Sequence, residues 1–180
     1  MALKATIYKA DLNIADMDRH YYQEHGLTIA RHPSETDERV MIRVLAFALH
    51  ASEALTFTKG LFDTDEPDLW EKDLTGALQT WIEVGQPDEK RIKQACSRAE
   101  KVFVYSYSAA SQVWFKGLVG KLGRSEKVTI VNIPAETSAA LEKLAKRSMQ
   151  LQVTIQDGQV WVTDGEDTVL VERERWYPAS

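Results

Sequence analysis

Apolar and polar positions alternate from residue 5 to residue 14, with Tyr8, Ala10, Leu12 and Ile14 on one side and Lys9, Asp11 and Asn13 on the other. That period of two marks a strand with one buried face. After the polar stretch around Asp16, Asp18 and Arg19, residues 21–31 can return as an antiparallel partner, which predicts a long hairpin. His32-Pro33 stops the second strand, and the period then becomes helical, with Val40, Val44, Leu45 and Leu49 recurring on one side. Ser34 is the expected N-cap, with Glu35, Asp37 and Glu38 placing negative charge against the first turn. The helix is expected to run to about His50, so that Glu53 falls at or just past its last turn.

Further along, residues 79–84 form a β-type run closed by Gly85, and Pro87-Asp88 opens a helix through Ile92 and Ala95. A strand over 102–105, a helix over 109–119, a strand over 128–133 and a helix over 137–146 continue an alternating rhythm. The tail changes character. Residues 151–155, 160–162 and 168–171 read as short antiparallel strands, joined by turns at Asp157-Gly158 and Asp164-Gly165. No repeat or Pro/Gly-rich linker interrupts the chain, so its 180 residues suit a single domain, 1–180, of mixed α/β (α+β) class.

Composition narrows the functional classes. A hydrophobic content of 44% supports a core without cross-links, and the one cysteine, Cys96, excludes an internal disulfide framework. No apolar run is long enough to cross a bilayer and the start carries no export signal, so the expected setting is the cytoplasm, with no membrane partner. A net charge of −5 opposes non-specific binding to nucleic acid, which depends on Lys and Arg displacing counterions. Any such role needs a local basic patch, for which Arg91 and Arg98, or Lys116, Lys121, Arg124 and Lys127, are the candidates. His20, His25, His32 and His50 show no metal-ligand spacing, and Ser106 and Ser108 lack the frame of an activated nucleophile. Most of the tryptophans sit in apolar or strand contexts and read as core, with Trp176 near the terminus left open.

One segment is chemically unusual. Between residues 58 and 75, Asp63, Asp65, Glu66, Asp68, Glu71 and Asp73 crowd together with little positive charge, an arrangement that needs solvent or a cation. This segment belongs to a larger resemblance. The opening MALKATIYKADLNIADMDR, the helix entry ARHPSETDERVMIRVLAFA, the centre DEPDLW with LQTWIEVGQPDEKRIKQAC, and the late TIQDGQVWV together resemble the YaeQ family over essentially the whole chain. The resemblance implies a restriction-endonuclease-like core of the PD-(D/E)XK type, elaborated into an α/β roll by extra antiparallel strands from both termini. It also implies a divalent-metal site for Mg²⁺ or Mn²⁺, with Glu53, Asp68, Glu83 and the Val84 carbonyl as oxygen ligands. Pro67-Asp68 matches the PD element and Glu83 the strand acid, 15 positions on.

The pattern departs where it expects lysine, two residues after Glu83, since this chain has Gly85. Gln86 is adjacent, and Lys90, Arg91 and Lys93 follow on the next helix, with Lys93 the favoured substitute beside Asp68 and Glu83 at the catalytic centre. Two functions follow from the resemblance. One is metal-dependent phosphodiester hydrolysis on nucleic acid. The other is a non-catalytic binding or regulatory module, linked to transcription, that keeps the nuclease-like fold and contacts a nucleic-acid or protein partner.

Overall fold

The computed structural model describes residues 4–123 and 125–178. Arg124, one member of the basic cluster, and the first three residues of the opening motif lie outside the described residues. The described chain is mixed α/β, with four α-helices and two β-sheets of five and six strands, and neither sheet closes into a barrel. It divides into two compact units, residues 1–48 with 136–172 and residues 49–135 with 173–180. Where the sequence shows no linker, the chain therefore passes between units three times.

In the first unit, β1 (Thr6–Asp16) and β2 (Tyr21–Arg31) form the expected hairpin, in register from Thr6↔Arg31 to Asp16↔Tyr21. The late meander, β8 (Ser148–Gln156), β9 (Gln159–Thr163) and β10 (Thr168–Val171), extends this sheet in the order β10-β9-β8-β1-β2. β8 runs parallel to β1, a pairing between distant segments that local periodicity does not encode. Alternation holds along β1 and β8 and in the second half of β2. Leu12, Ile14, Ile29, Leu151, Val153 and Val160 are buried while their neighbours face water.

The first helix, α1, spans Asp37–His50 and buries every residue from Val40 to Ala48. Its cap is Thr36, not Ser34. The Thr36 hydroxyl accepts the Arg39 N–H at 3.1 Å. Ser34 instead closes a turn on the His32 ring, and Glu35 is drawn inward by Arg43 (3.1 Å) and Arg39 (2.7 Å), which delays the helix by one residue pair. Thr36→Ala should cost about 1 kcal/mol, read as a lower urea midpoint with unchanged slope. The last helix, α4 (Ala135–Glu142), starts earlier and ends sooner than the sequence suggests.

The second unit has the strand order β11-β7-β6-β5-β4-β3. β3 (Leu55–Phe57), β4 (Leu69–Lys72) and β5 (Leu78–Val84) form an antiparallel meander. β5, β6 (Ala99–Tyr107) and β7 (Val128–Ile133) are parallel, connected through α2 (Glu89–Arg98) and α3 (Ser111–Leu118). β11 (Glu174–Tyr177) returns antiparallel to β7. Trp81, Val102, Val104, Val128 and Ile130 line one face of this sheet, sealed by Ile92, Ala95 and Leu118 from the helices. Trp70, Trp114 and Trp176 are partly buried and pack against that cluster. No helix among the described residues is long and apolar enough to cross a membrane.

Candidate functional site

The β4–β5 hairpin brings two acids together. Leu69 pairs with Ile82 and Trp70 with Trp81, while the Asp68 N–H donates to the Ile82 carbonyl at 3.0 Å. Side chains two apart on a strand share a face, so Asp68 lies on the side of Trp70, and Glu83 on the side of its cross-strand partner Trp81. Both carboxylates are buried, at 2% and 7% exposure. Asp68 Oδ2 accepts the Val84 N–H at 2.8 Å. Glu83 Oε1 accepts from Trp81 Nε1 at 2.9 Å and from Arg91 Nε at 2.6 Å.

Burial, followed by the neighbouring Asp68 charge, holds the Glu83 carboxyl above its ordinary value of 4.5, with Arg91 and Trp81 pulling the other way. The ionised carboxylate is thus less welcome in the fold than in the unfolded chain. A raised folded pKa contributes stability below the unfolded value that is lost as pH rises through the folded one. Glu83→Gln, which keeps an acceptor for Trp81 and Arg91, should therefore raise the melting temperature at pH 7. That gain should shrink toward zero as the pH is brought down to about 4.5; an advantage that grows on acidification refutes the assignment.

Arg91 is the group sequence reasoning passed over in favour of Lys93. Asp88 caps α2 by accepting the Arg91 N–H at 2.8 Å, which fixes Arg91 in the first turn with its side chain turned back over the sheet. Beyond Glu83, its guanidinium donates to the Thr64 carbonyl and, at 2.6 Å, to the Glu66 carbonyl. Arg98, two turns later on the same helix face, donates to the Asp65 carbonyl at 3.0 Å. Both guanidinium groups lie over the Trp81 ring, 5.6 Å and 5.3 Å from its centre. The seven-residue spacing of the two arginines was the available signal. Lys93 instead points to water, 69% exposed, and pairs with Glu89 at 2.6 Å.

The remaining candidates lie apart from this pair. Glu53 is exposed in the bend between α1 and β3, where the adjacent Ser52 hydroxyl donates to Glu71 at 2.7 Å. Gln86 follows β5, with its Nε2 3.4 Å from the hydroxyls of Ser108 and Ser111. Val84 is buried, and its N–H is committed to Asp68. Gly85, in the lysine position of the nuclease pattern, has φ +117°, with open space where a Cβ would stand. Only glycine adopts such a backbone readily. Local conformation thus accounts for the missing lysine.

These positions test the implied metal. Mg²⁺ takes near-octahedral oxygen coordination, yet among the described residues no three or more acidic, His or Cys side chains are grouped to hold an ion. Arg91 supplies the positive charge at Glu83, and Glu53 stands in an exposed bend. As arranged, the residues do not fit the ion. Histidine chemistry is likewise structural: His25 packs edge-on to Phe47, and His50 Nε2 lies 2.5 Å from the hydroxyl of Tyr105, a phenol that burial pushes well up.

Two mixed sheets, one of them carrying a buried carboxylate pair closed by a helix-borne arginine, define a mixed α/β protein. Residues 1–173 match the family model described as YaeQ protein, and the chain belongs to the YaeQ family. It is 43% identical over 181 aligned positions to an uncharacterized YaeQ protein of Escherichia coli (strain K12), and 42% identical to that of Salmonella typhi, with both chains covered completely in each case. The crystal structure of YaeQ from Xanthomonas axonopodis pv. citri is similar, with a TM-score of 0.91 at 42% identity, covering 96% of this chain and 98% of that one. YaeQ from Pseudomonas syringae gives 0.90 at 38% identity, covering 97% of each.

Proposed function

We propose that this protein is a non-catalytic nucleic-acid-binding module on a restriction-endonuclease-like sheet, in which the ancestral acid pair is kept but neutralised by Arg91. The single observation that carries this reading is the Arg91 Nε to Glu83 Oε1 contact of 2.6 Å, a guanidinium where a nuclease of this pattern holds its ion and lysine. Arginine stays protonated and cannot serve as a general base, but it recognises phosphate oxygens well. The family's implied link to transcription fits a binding role, and a chain of net negative charge leaves phosphate contacts to a local basic patch.

Specific observations favour a second reading. Two buried adjacent carboxylates, one with a raised pKa, are the kind of pair found at reactive centres, and in that reading Mg²⁺ or Mn²⁺ assembles a phosphodiesterase around Asp68 and Glu83. One experiment separates them. Wild type, Glu83→Ala and Arg91→Ala are incubated with single-stranded, duplex and branched DNA and RNA in Mn²⁺, and binding is followed by fluorescence anisotropy. The binding-module reading expects intact substrates throughout and salt-dependent binding. Metal-dependent cleavage by wild type that disappears in Glu83→Ala overturns it in favour of the hydrolase.

A further inference from the structure

The connection between β3 and β4 is long for a hairpin and acidic, yet it meets α2 through its backbone. Three successive carbonyls, those of Thr64, Asp65 and Glu66, are taken up by Arg91 and Arg98. The carboxylates of the same segment turn to local work: Asp63 Oδ1 accepts the Asp65 N–H at 2.8 Å, and Glu66 Oε2 accepts the Lys59 N–H at 3.3 Å. At its base the segment is pinned by the Thr58 hydroxyl on the Pro67 carbonyl and by the Thr58 N–H on the Asp68 carbonyl at 3.2 Å. Between those pins and its own turns, the two arginines hold it down.

We propose that residues 59–67 form a strap whose backbone carbonyls occupy a two-arginine phosphate site, Arg91 and Arg98, and that a phosphodiester strand opens the strap by replacing those carbonyls. The inference rests on the nucleic-acid reading above and names where that ligand is held. Carbonyl and phosphate oxygens offer guanidinium N–H groups the same kind of acceptor, but phosphate adds charge and accepts in pairs. Both guanidinium groups lie over the one Trp81 ring and take consecutive carbonyls, so their donors converge closely enough to grip one phosphate together with its neighbour along a strand. The arrangement also provides a gate. Asp63, Asp65 and Glu66 repel an approaching polyanion while the strap is closed, and they leave with the carbonyls when it opens.

Two measurements test this. Hydrogen exchange is followed at the amides of Asp65 and Glu66, which are bonded to Asp63 within the strap. It is compared in wild type, in Arg98→Ala, and in wild type with a short oligothymidylate or with inorganic pyrophosphate. Exchange should rise in Arg98→Ala and with either ligand. In parallel, Asp63→Asn/Asp65→Asn/Glu66→Gln keeps one acceptor oxygen on each side chain and should bind the labelled oligothymidylate about tenfold more tightly, as expected for relief of charge repulsion at a phosphate site. The same number of neutralised charges at Glu166, Asp167 and Glu172 should leave affinity near wild type. Exchange unchanged by Arg98→Ala and by both ligands overturns the strap, whatever binds elsewhere. Opening by pyrophosphate without oligothymidylate binding keeps the strap and overturns the nucleic-acid reading.

Discussion

Arg91→Ala is expected to lower the stability of the protein by about 3–5 kcal/mol, the range for removing one partner of a buried ion pair. The loss has three physical sources. Glu83, at 7% exposure, is left with Trp81 Nε1 as its remaining donor while facing the charge of Asp68. The Thr64 and Glu66 carbonyls lose their donor, and one face of the Trp81 ring loses its cover. The charge component can be isolated. If the uncompensated carboxylate dominates, adding Glu83→Gln to Arg91→Ala should return much of the lost stability, and acidification should do the same for the single variant. Urea titrations of the four proteins form a double-mutant cycle. A double variant no more stable than Arg91→Ala assigns the damage to packing and removes the electrostatic account.

How far the sequence discloses this site depends on what kind of information each part needs. The β1–β2 hairpin, α2 and the meander of β8 to β10 were legible because burial on one face imprints a period, and turns such as Asp157-Gly158 mark the ends. β3, β4 and β11 were not, since strands of three or four residues are too short to establish alternation. Long-range pairing, as between β1 and β8, has no local trace at all. In the site, Asp68 and Glu83 were located by motif position, and strand pairing brought them together. Lys93 was favoured over Arg91 on charge, although the apolar positions Ile92 and Ala95 already set the phase of α2 and place Arg91 nearer their arc than Lys93. With Asp88 as N-cap, Arg91 turns inward and Lys93 outward. Gly85 was visible as a departure from the pattern, but its cause, a left-handed backbone, became apparent only in three dimensions.

Trp81→Ala should be comparably damaging, costing about 3–5 kcal/mol as for other large aromatic truncations in cores. Trp81 has no exposed surface and is the largest fully buried side chain among the described residues. Its ring contacts two things at once: the apolar cluster of Ile92, Ala95 and Val102, and the arginine pair that holds the carbonyls of residues 64–66. A cavity at this position removes apolar contacts and also frees the platform on which Arg91 and Arg98 lie, so the strap should loosen together with the core. Trp81→Phe separates the contributions. It retains an aromatic face but deletes the N–H that reaches Glu83 Oε1, and a buried acceptor deprived of a donor costs about 1–3 kcal/mol. It should therefore be milder than Trp81→Ala, and it should leave the Glu83 carboxyl still further above its ordinary value. Calorimetric melts from pH 4 upward check both points. If Trp81→Phe proves as damaging as Trp81→Ala, the ring's indole nitrogen rather than its packing holds this site together.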